Sequence, residues 1–233
     1  MYARFKVVGL ALIVAGLLFT GVGGYTYLKT QEGATALQSF SAAQNVTLSY
    51  NDQGQLVDRG ETAGAEAIMG LLTNDWGYTV NAAELNPNDP VVNTASEYMF
   101  QMATIAYHTL NGTQTVVLAE PAEFNGETIA AGTYEVPVDG RYWTAFNRQN
   151  PIDAKVREQA WTGTAHALIA ELGVGSVTAS TLQVGLGIAA IAAALGATLM
   201  LLGVGVIWAA RPVEVEVKAT APATARKSAP ATA

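Results

Sequence analysis

Two stretches of this chain carry no charge over lengths that match a bilayer. Val7–Leu28 runs for 22 residues and Leu182–Ala210 for 29. At a helical rise of about 1.5 Å per residue the shorter one reaches roughly 33 Å, enough to cross a hydrocarbon core of about 30 Å. Tyr25 and Tyr27 end the first stretch and Lys29 closes it; Trp208 and then Arg211-Pro212 close the second. Aromatic rings favour the membrane interface and basic side chains resist crossing, so both flanks read as membrane boundaries. The surplus length of the second stretch predicts tilt or protrusion. A cleavable signal sequence would share the positive start. The first apolar run, however, exceeds the usual span of about 7–15 residues, and the nearest small-x-small candidates, around Ser41 to Ala43, lie well past it.

Charge sets the expected orientation. Arg4 and Lys6 precede the first stretch; Arg211 and Lys218 follow the second. Between Thr30 and Ser180 there are 17 acidic and five basic residues, a net of −12. Basic flanks favour the cytoplasmic side, so both termini are expected inside a cell membrane and the acidic middle outside it. A negative domain repels phosphates, which excludes a nucleic-acid module. The absence of cysteine excludes a disulfide framework, a thiolate metal site and a Cys nucleophile.

The fold class that follows is an α+β membrane protein, with two transmembrane helices flanking a mixed extracytoplasmic domain of two long helices and short β-hairpins. Residues 1–29 form the cytoplasmic N-terminus and first span, 30–180 the domain, 181–211 the second span and 212–233 a disordered cytoplasmic tail. That tail is rich in Ala, Pro, Thr and Lys, a composition that buries no core. Gly9, Gly16 and Gly23 recur every seven residues, as do Ala189, Gly196 and Gly203. A seven-residue period keeps one seam toward a partner helix, and small residues there allow close van der Waals approach in lipid. The seams predict that the spans pack on each other, with Gly16 facing Gly196. Besides the lipid bilayer, other membrane proteins or a second copy of the chain are the partners such seams would serve.

Within the domain, Gln31 to Ala43 either extends the first helix or forms a stalk. Val46–Tyr50 alternates like a strand, turns at Asn51–Gly54 and returns at Leu56-Val57. Glu61–Thr73 reads as a helix with Ile68, Leu71 and Leu72 on its apolar side. Thr115–Leu118 and Thr133–Pro137 read as strands, with Asn125-Gly126 as a tight hairpin turn between them. A partial repeat at an offset of 64 residues, covering about 78–110 and 142–174, aligns Tyr78 with Tyr142, Asn86-Pro87-x-Asp89 with Asn150-Pro151-x-Asp153, and Val92 with Val156. Asn before Pro is a helix-start signal. Both copies are therefore expected to open a long helix, the first with Asp89-Pro90 as an alternative start and an end near Leu110, the second ending near Leu172 at Gly173-Val174-Gly175.

Chemistry is sparsely signalled. His108 and His166 are the only histidines, and with a carboxylate such as Glu120 or Glu171 they fall short of a specified ligand cluster. There is no Gly-x-Ser-x-Gly elbow, phosphate loop or His-Glu-x-x-His. The expectation is a non-enzymatic protein with no cofactor and no metal, whose outer domain binds or scaffolds something; an accessory subunit of a membrane complex is the alternative. Trp76, Tyr78, Tyr142, Trp143 and Phe146 are a candidate aromatic cluster, either core packing or a pocket.

The segments Gly140-Arg141-Tyr142-Trp143 through Asn150-Pro151, Gln159-Ala160-Trp161 and Thr178-Ala179-Ser180-Thr181 resemble a family of actinobacterial two-span membrane proteins. Members have one span near each end and a tyrosine-containing loop ahead of a helix that leads toward the second span. The resemblance covers mainly the last hundred residues and the general layout. The family is often labelled aromatic ring-opening dioxygenase, which would imply a metal-dependent oxygenase. It assigns no role to any single residue here.

Overall fold

The computed structural model describes residues 2–211, so the tail expected at 212–233 lies outside the described residues. The elements in chain order are α1 (Tyr2–Gln44), α2 (Thr62–Gly70), α3 (Ala95–Leu110), β1 (Thr113–Leu118), β2 (Ala122–Phe124), β3 (Glu127–Ile129), β4 (Gly132–Pro137), α4 (Pro151–Ala160) and α5 (Gly163–Ala209). The described residues divide into two compact units, 2–22 with 192–211, and Gly23–Ile191.

Among the described residues two helices are long and apolar enough to cross a membrane, Ala3–Gln44 and Gly163–Ala209. Only 17 % and 11 % of their most apolar windows is buried, whereas the core helix of a soluble protein would be mostly covered. Val7, Leu18, Leu201 and Trp208 are all more than half exposed, and the first three carry no polar group for water.

The first unit is an antiparallel helix pair, with α1 numbers rising as α5 numbers fall. Gly9 faces Gly203 and Ile207, and Gly16 faces Gly196 and Met200. A Cβ on Gly16 would lie 2.6 Å from the Gly196 carbonyl oxygen, and one on Gly203 would lie 2.5 Å from that of Gly9. The Thr20 hydroxyl donates to the Gly16 carbonyl at 2.9 Å, so the one polar side chain at this crossing is satisfied within its own helix. In the second unit Gly23 and Ala189 are buried as well.

The second unit is a mixed α+β domain with small sheets. Its first core gathers Ile68 and Leu72 of the α2 region, Phe100 and Ala103 of α3, and Leu172 and Ala179 of α5. Its second core joins Ala106 and Leu110 of α3 to Val116, Val138, Val156 and Trp161. Ile68 and Leu72 have no exposed surface, and full burial of such a side chain contributes about 1.5–3 kcal/mol. Segment 23–44 continues α1 without a break, so the stretch after Lys29 is helix. The Gln183 side chain donates to Glu84 at 2.7 Å, and a Cβ on Gly185 would touch Thr30, so this part of the expected second span packs on domain residues.

β1 and β4 pair antiparallel from Thr113↔Pro137 to Leu118↔Gly132, and β2 and β3 pair separately. The β2–β3 turn has Asn125 at φ 53° and Gly126 at φ 81°, the double positive φ of a type I′ hairpin. Asn51–Gly54 forms the expected turn, flanked by the bridge Tyr50↔Leu56.

The two aligned segments fold differently, which corrects the expected pair of long helices. Asn150 caps α4 by accepting from Ile152 and Asp153, with Pro151 at the first position. Asn86 instead closes a turn, accepting from the Asn88 and Asp89 amides. Pro90 to Val92 is held extended against Val46 to Leu48: Leu48 N–H donates to the Pro90 carbonyl and Val92 N–H to that of Val46. The helix therefore starts only at Ala95, with Thr94 and Glu97 forming a reciprocal capping box. α4 ends at Ala160 rather than near Leu172. Thr162 then caps α5, its hydroxyl accepting from Ala165 N–H. Gly173-Val174-Gly175 does not interrupt α5, because Gly175 serves close packing: a Cβ there would sit 2.6 Å from the Tyr98 ring.

Candidate aromatic cleft

The C-terminal turn of the α2 region is wider than an α-helix. Leu71–Asp75 is a π-type turn, and the Trp76 N–H closes it onto the Leu71 carbonyl. That turn buries Leu71 and Leu72 and sets Asp75 and Trp76 beside the end of α3. Across from them the chain leaves β4, turns at Gly140 and presents Tyr142. Between these elements lies a cleft of about 630 Å³ lined by Asp75, Trp76, Tyr107, Asn111 and Tyr142, with Ala67, Leu71, Leu110 and Gly140.

Trp76 Nε1–H donates to the Tyr142 hydroxyl at 2.9 Å, which ties two residues 66 apart in sequence. The Tyr142 ring stacks on Trp161 at 5.7 Å between centroids, and Trp161 Nε1–H donates to the Arg141 carbonyl at 3.0 Å. Stacking at such distances adds about 0.5–1.5 kcal/mol beyond area burial. Arg141 is held by Asp153 at 2.9 Å and by the carbonyls of Val138 and Pro137, with its guanidinium 4.4 Å from the Phe146 ring centroid.

The five aromatic residues singled out from sequence thus separate. Trp76 and Tyr142 meet in the cleft. Trp143 packs edge-on against His166 at 5.1 Å under the Arg157 guanidinium. Phe146 is buried in the second core, and Tyr78 packs on the first. Sequence reasoning missed Trp161, Tyr107, Asp75 and Asn111 as neighbours. Trp161 carried a local signal, a tryptophan at a helix end; the others are joined only by the tertiary fold.

The carboxylates near α3 divide by environment. Burial raises the Glu97 carboxyl above its ordinary value of 4.5, although the Asn93 and Thr94 amides and the Thr94 hydroxyl donate to it. For Glu84, burial acts the same way, but hydrogen bonds from Gln183, Ser96 and Asn81 outweigh it and hold the carboxyl below 4.5.

His108 Nε2 pairs with Asp58 Oδ1 at 2.9 Å, His166 lies against Trp143 and Trp161, and Glu171 accepts from Gln44 at 2.6 Å. Among the described residues no three His, Asp or Glu side chains gather as a metal site. Comparison with protein families, curated proteins and solved structures gives no match to this chain.

Proposed function

We propose that this is a two-span membrane protein whose acidic domain faces outward and binds a small ligand in the aromatic cleft, with no catalytic step of its own. The observation that carries the reading is the cleft: its volume falls in the range of about 300–1,000 Å³ typical of small-molecule sites, and aromatic walls with few polar groups are the usual lining. Support for the orientation comes from Arg4, Lys6 and Arg211 beside the spans and the net −12 between Thr30 and Ser180.

Cysteines introduced at Ser39, Asn111 and Ser228 test it, because the chain has none of its own. A membrane-impermeant thiol reagent on intact cells should label Ser39→Cys and the cleft variant Asn111→Cys, and should spare Ser228→Cys. Labelling at Ser228→Cys alone would reject the outward orientation.

A further inference from the structure

We infer that the cleft takes a small organic cation of the alkylammonium class, with Asp75 as its counter-charge; this rests on the outward-facing binding reading above. The inference comes from which polar capacity remains unspent. Trp76 has used its only side-chain donor on the Tyr142 hydroxyl, so toward a ligand it offers π surface alone. Asn111 has committed one N–H to the Tyr107 carbonyl at 2.9 Å and keeps its side-chain oxygen as an acceptor. Asp75 is exposed, lines the cleft and forms no ion pair with any described residue. None of the nine lining residues is basic. The nearest arginine in sequence, Arg141, is engaged by Asp153 and two carbonyls.

An anion would need a positive partner, and the lining holds none. It offers one carboxylate, an amide group, two phenol hydroxyls that donate as well as accept, and three aromatic rings, so the unpaired carboxylate and the π faces, not the hydrogen-bonding groups, are what select a cation. Cations are attracted to aromatic faces by the ring quadrupole, most strongly to Trp and Tyr, and a carboxylate at the rim adds direct Coulomb attraction. The field of a domain with net −12 between Thr30 and Ser180 points the same way, raising the local concentration of cations and depleting anions. A ligand with a bulky, weakly hydrated head fits best, because it surrenders little hydration on entering an aromatic site.

The test uses the full chain in non-ionic detergent, with choline as probe and 3,3-dimethyl-1-butanol as its neutral isostere, read by calorimetry and tryptophan fluorescence. Choline should bind saturably and the isostere about tenfold more weakly, the size of effect one desolvated cation–π contact supplies. Asp75→Asn, at an exposed side chain, should lower choline affinity several-fold without moving the melting temperature. Absence of saturable choline binding, or an Asp75→Asn affinity equal to that of the native chain, overturns the inference. Equal binding of choline and the isostere, lost together in Tyr142→Leu, also overturns it while leaving the cleft as a binding site. Failure of the outward reading registers separately, in the thiol-labelling pattern.

Discussion

The helix pair of residues 2–22 and 192–211 and the domain of residues 23–191 both depend on glycine, for different reasons. In the pair, Gly9, Gly16, Gly196 and Gly203 are ordinary helical residues whose missing side chain lets two backbones touch. In the membrane setting proposed above, lipid would offer no hydrophobic drive for helices to associate, and the contact would depend on closeness. In the turns of the domain the backbone conformation is what matters, as at Gly126 with φ 81° and open space around it. Gly175 stands between the two cases: it lies in the domain, yet it is a helical glycine that makes room for the Tyr98 ring. The same residue type is thus a packing element where two helices or a helix and a ring meet closely, and a turn element where the backbone takes a positive φ.

That contrast predicts unequal costs for similar substitutions. The largest falls on Gly16→Leu, whose side chain must displace Met200 and the Gly196 backbone; overpacking of this kind costs about 1–3 kcal/mol, here toward the upper end. Gly21→Leu, five residues along the same helix with nothing within 4 Å, should be nearly neutral. Thermal melts in detergent compare them, and equal melting temperatures would deny the seam its role.

Gly175→Ala should follow, at about 1–2 kcal/mol, because one methyl group meets a ring that is 7 % exposed and tied by its hydroxyl to Ser41 at 2.6 Å. In a Tyr98→Leu background the same change should cost clearly less, and a double-mutant cycle reads the coupling. Additive effects would mean that the ring contact is not the cause.

Gly126→Ala tests the turn side of the comparison. Forcing a side chain to positive φ should cost about 1 kcal/mol while leaving the helix pair untouched. Circular dichroism melts combined with the membrane-helix signal would show whether the loss stays in the domain.

The smallest expected effect concerns pH. Glu97 has a raised carboxyl pKa, so its contribution to stability is full below 4.5 and is lost as pH rises through the folded-state value. Glu97→Gln keeps an acceptor for the capping hydrogen bonds but cannot ionise. Its stability relative to the native chain should rise with pH across that window and level off above it. Glu84, with a lowered pKa, contributes above 4.5 and loses that contribution as pH falls through its folded-state value. A flat difference between Glu97→Gln and the native chain from pH 4 to 8 would remove burial as the cause of the shift.

Sequence alone disclosed the features governed by local chemistry. Two charge-free runs marked the long helices, Asn150-Pro151 marked the start of α4, and Asn125-Gly126 marked a hairpin. It misled where long-range contacts decide. Asn86-Pro87 carries the same start signal as Asn150-Pro151, but Asn86 closes a turn and the pairing of Val46–Leu48 with Pro90–Val92 holds the residues after it extended. Gly173 and Gly175 look like helix breakers until the Tyr98 ring fills the space beside Gly175. The cleft was half visible: Trp76 and Tyr142 stood out as aromatic residues, but their hydrogen bond spans 66 positions and nothing local announces it.

Arg141 has a consequence for how the domain opens. Its side chain reaches Asp153, the carbonyls of Pro137 and Val138 and the Phe146 ring, while its own carbonyl receives the Trp161 indole N–H. Every partner lies within 20 positions of it, so the loops that these contacts close are short and cost little entropy. Residues 137–161 therefore form a locally stitched block. The amides bonded within α4 should exchange with solvent as a group, whereas the Val138 and Gly140 N–H groups, bonded to Gly112 and Leu110, should exchange with the end of α3 and β1 on which the block packs.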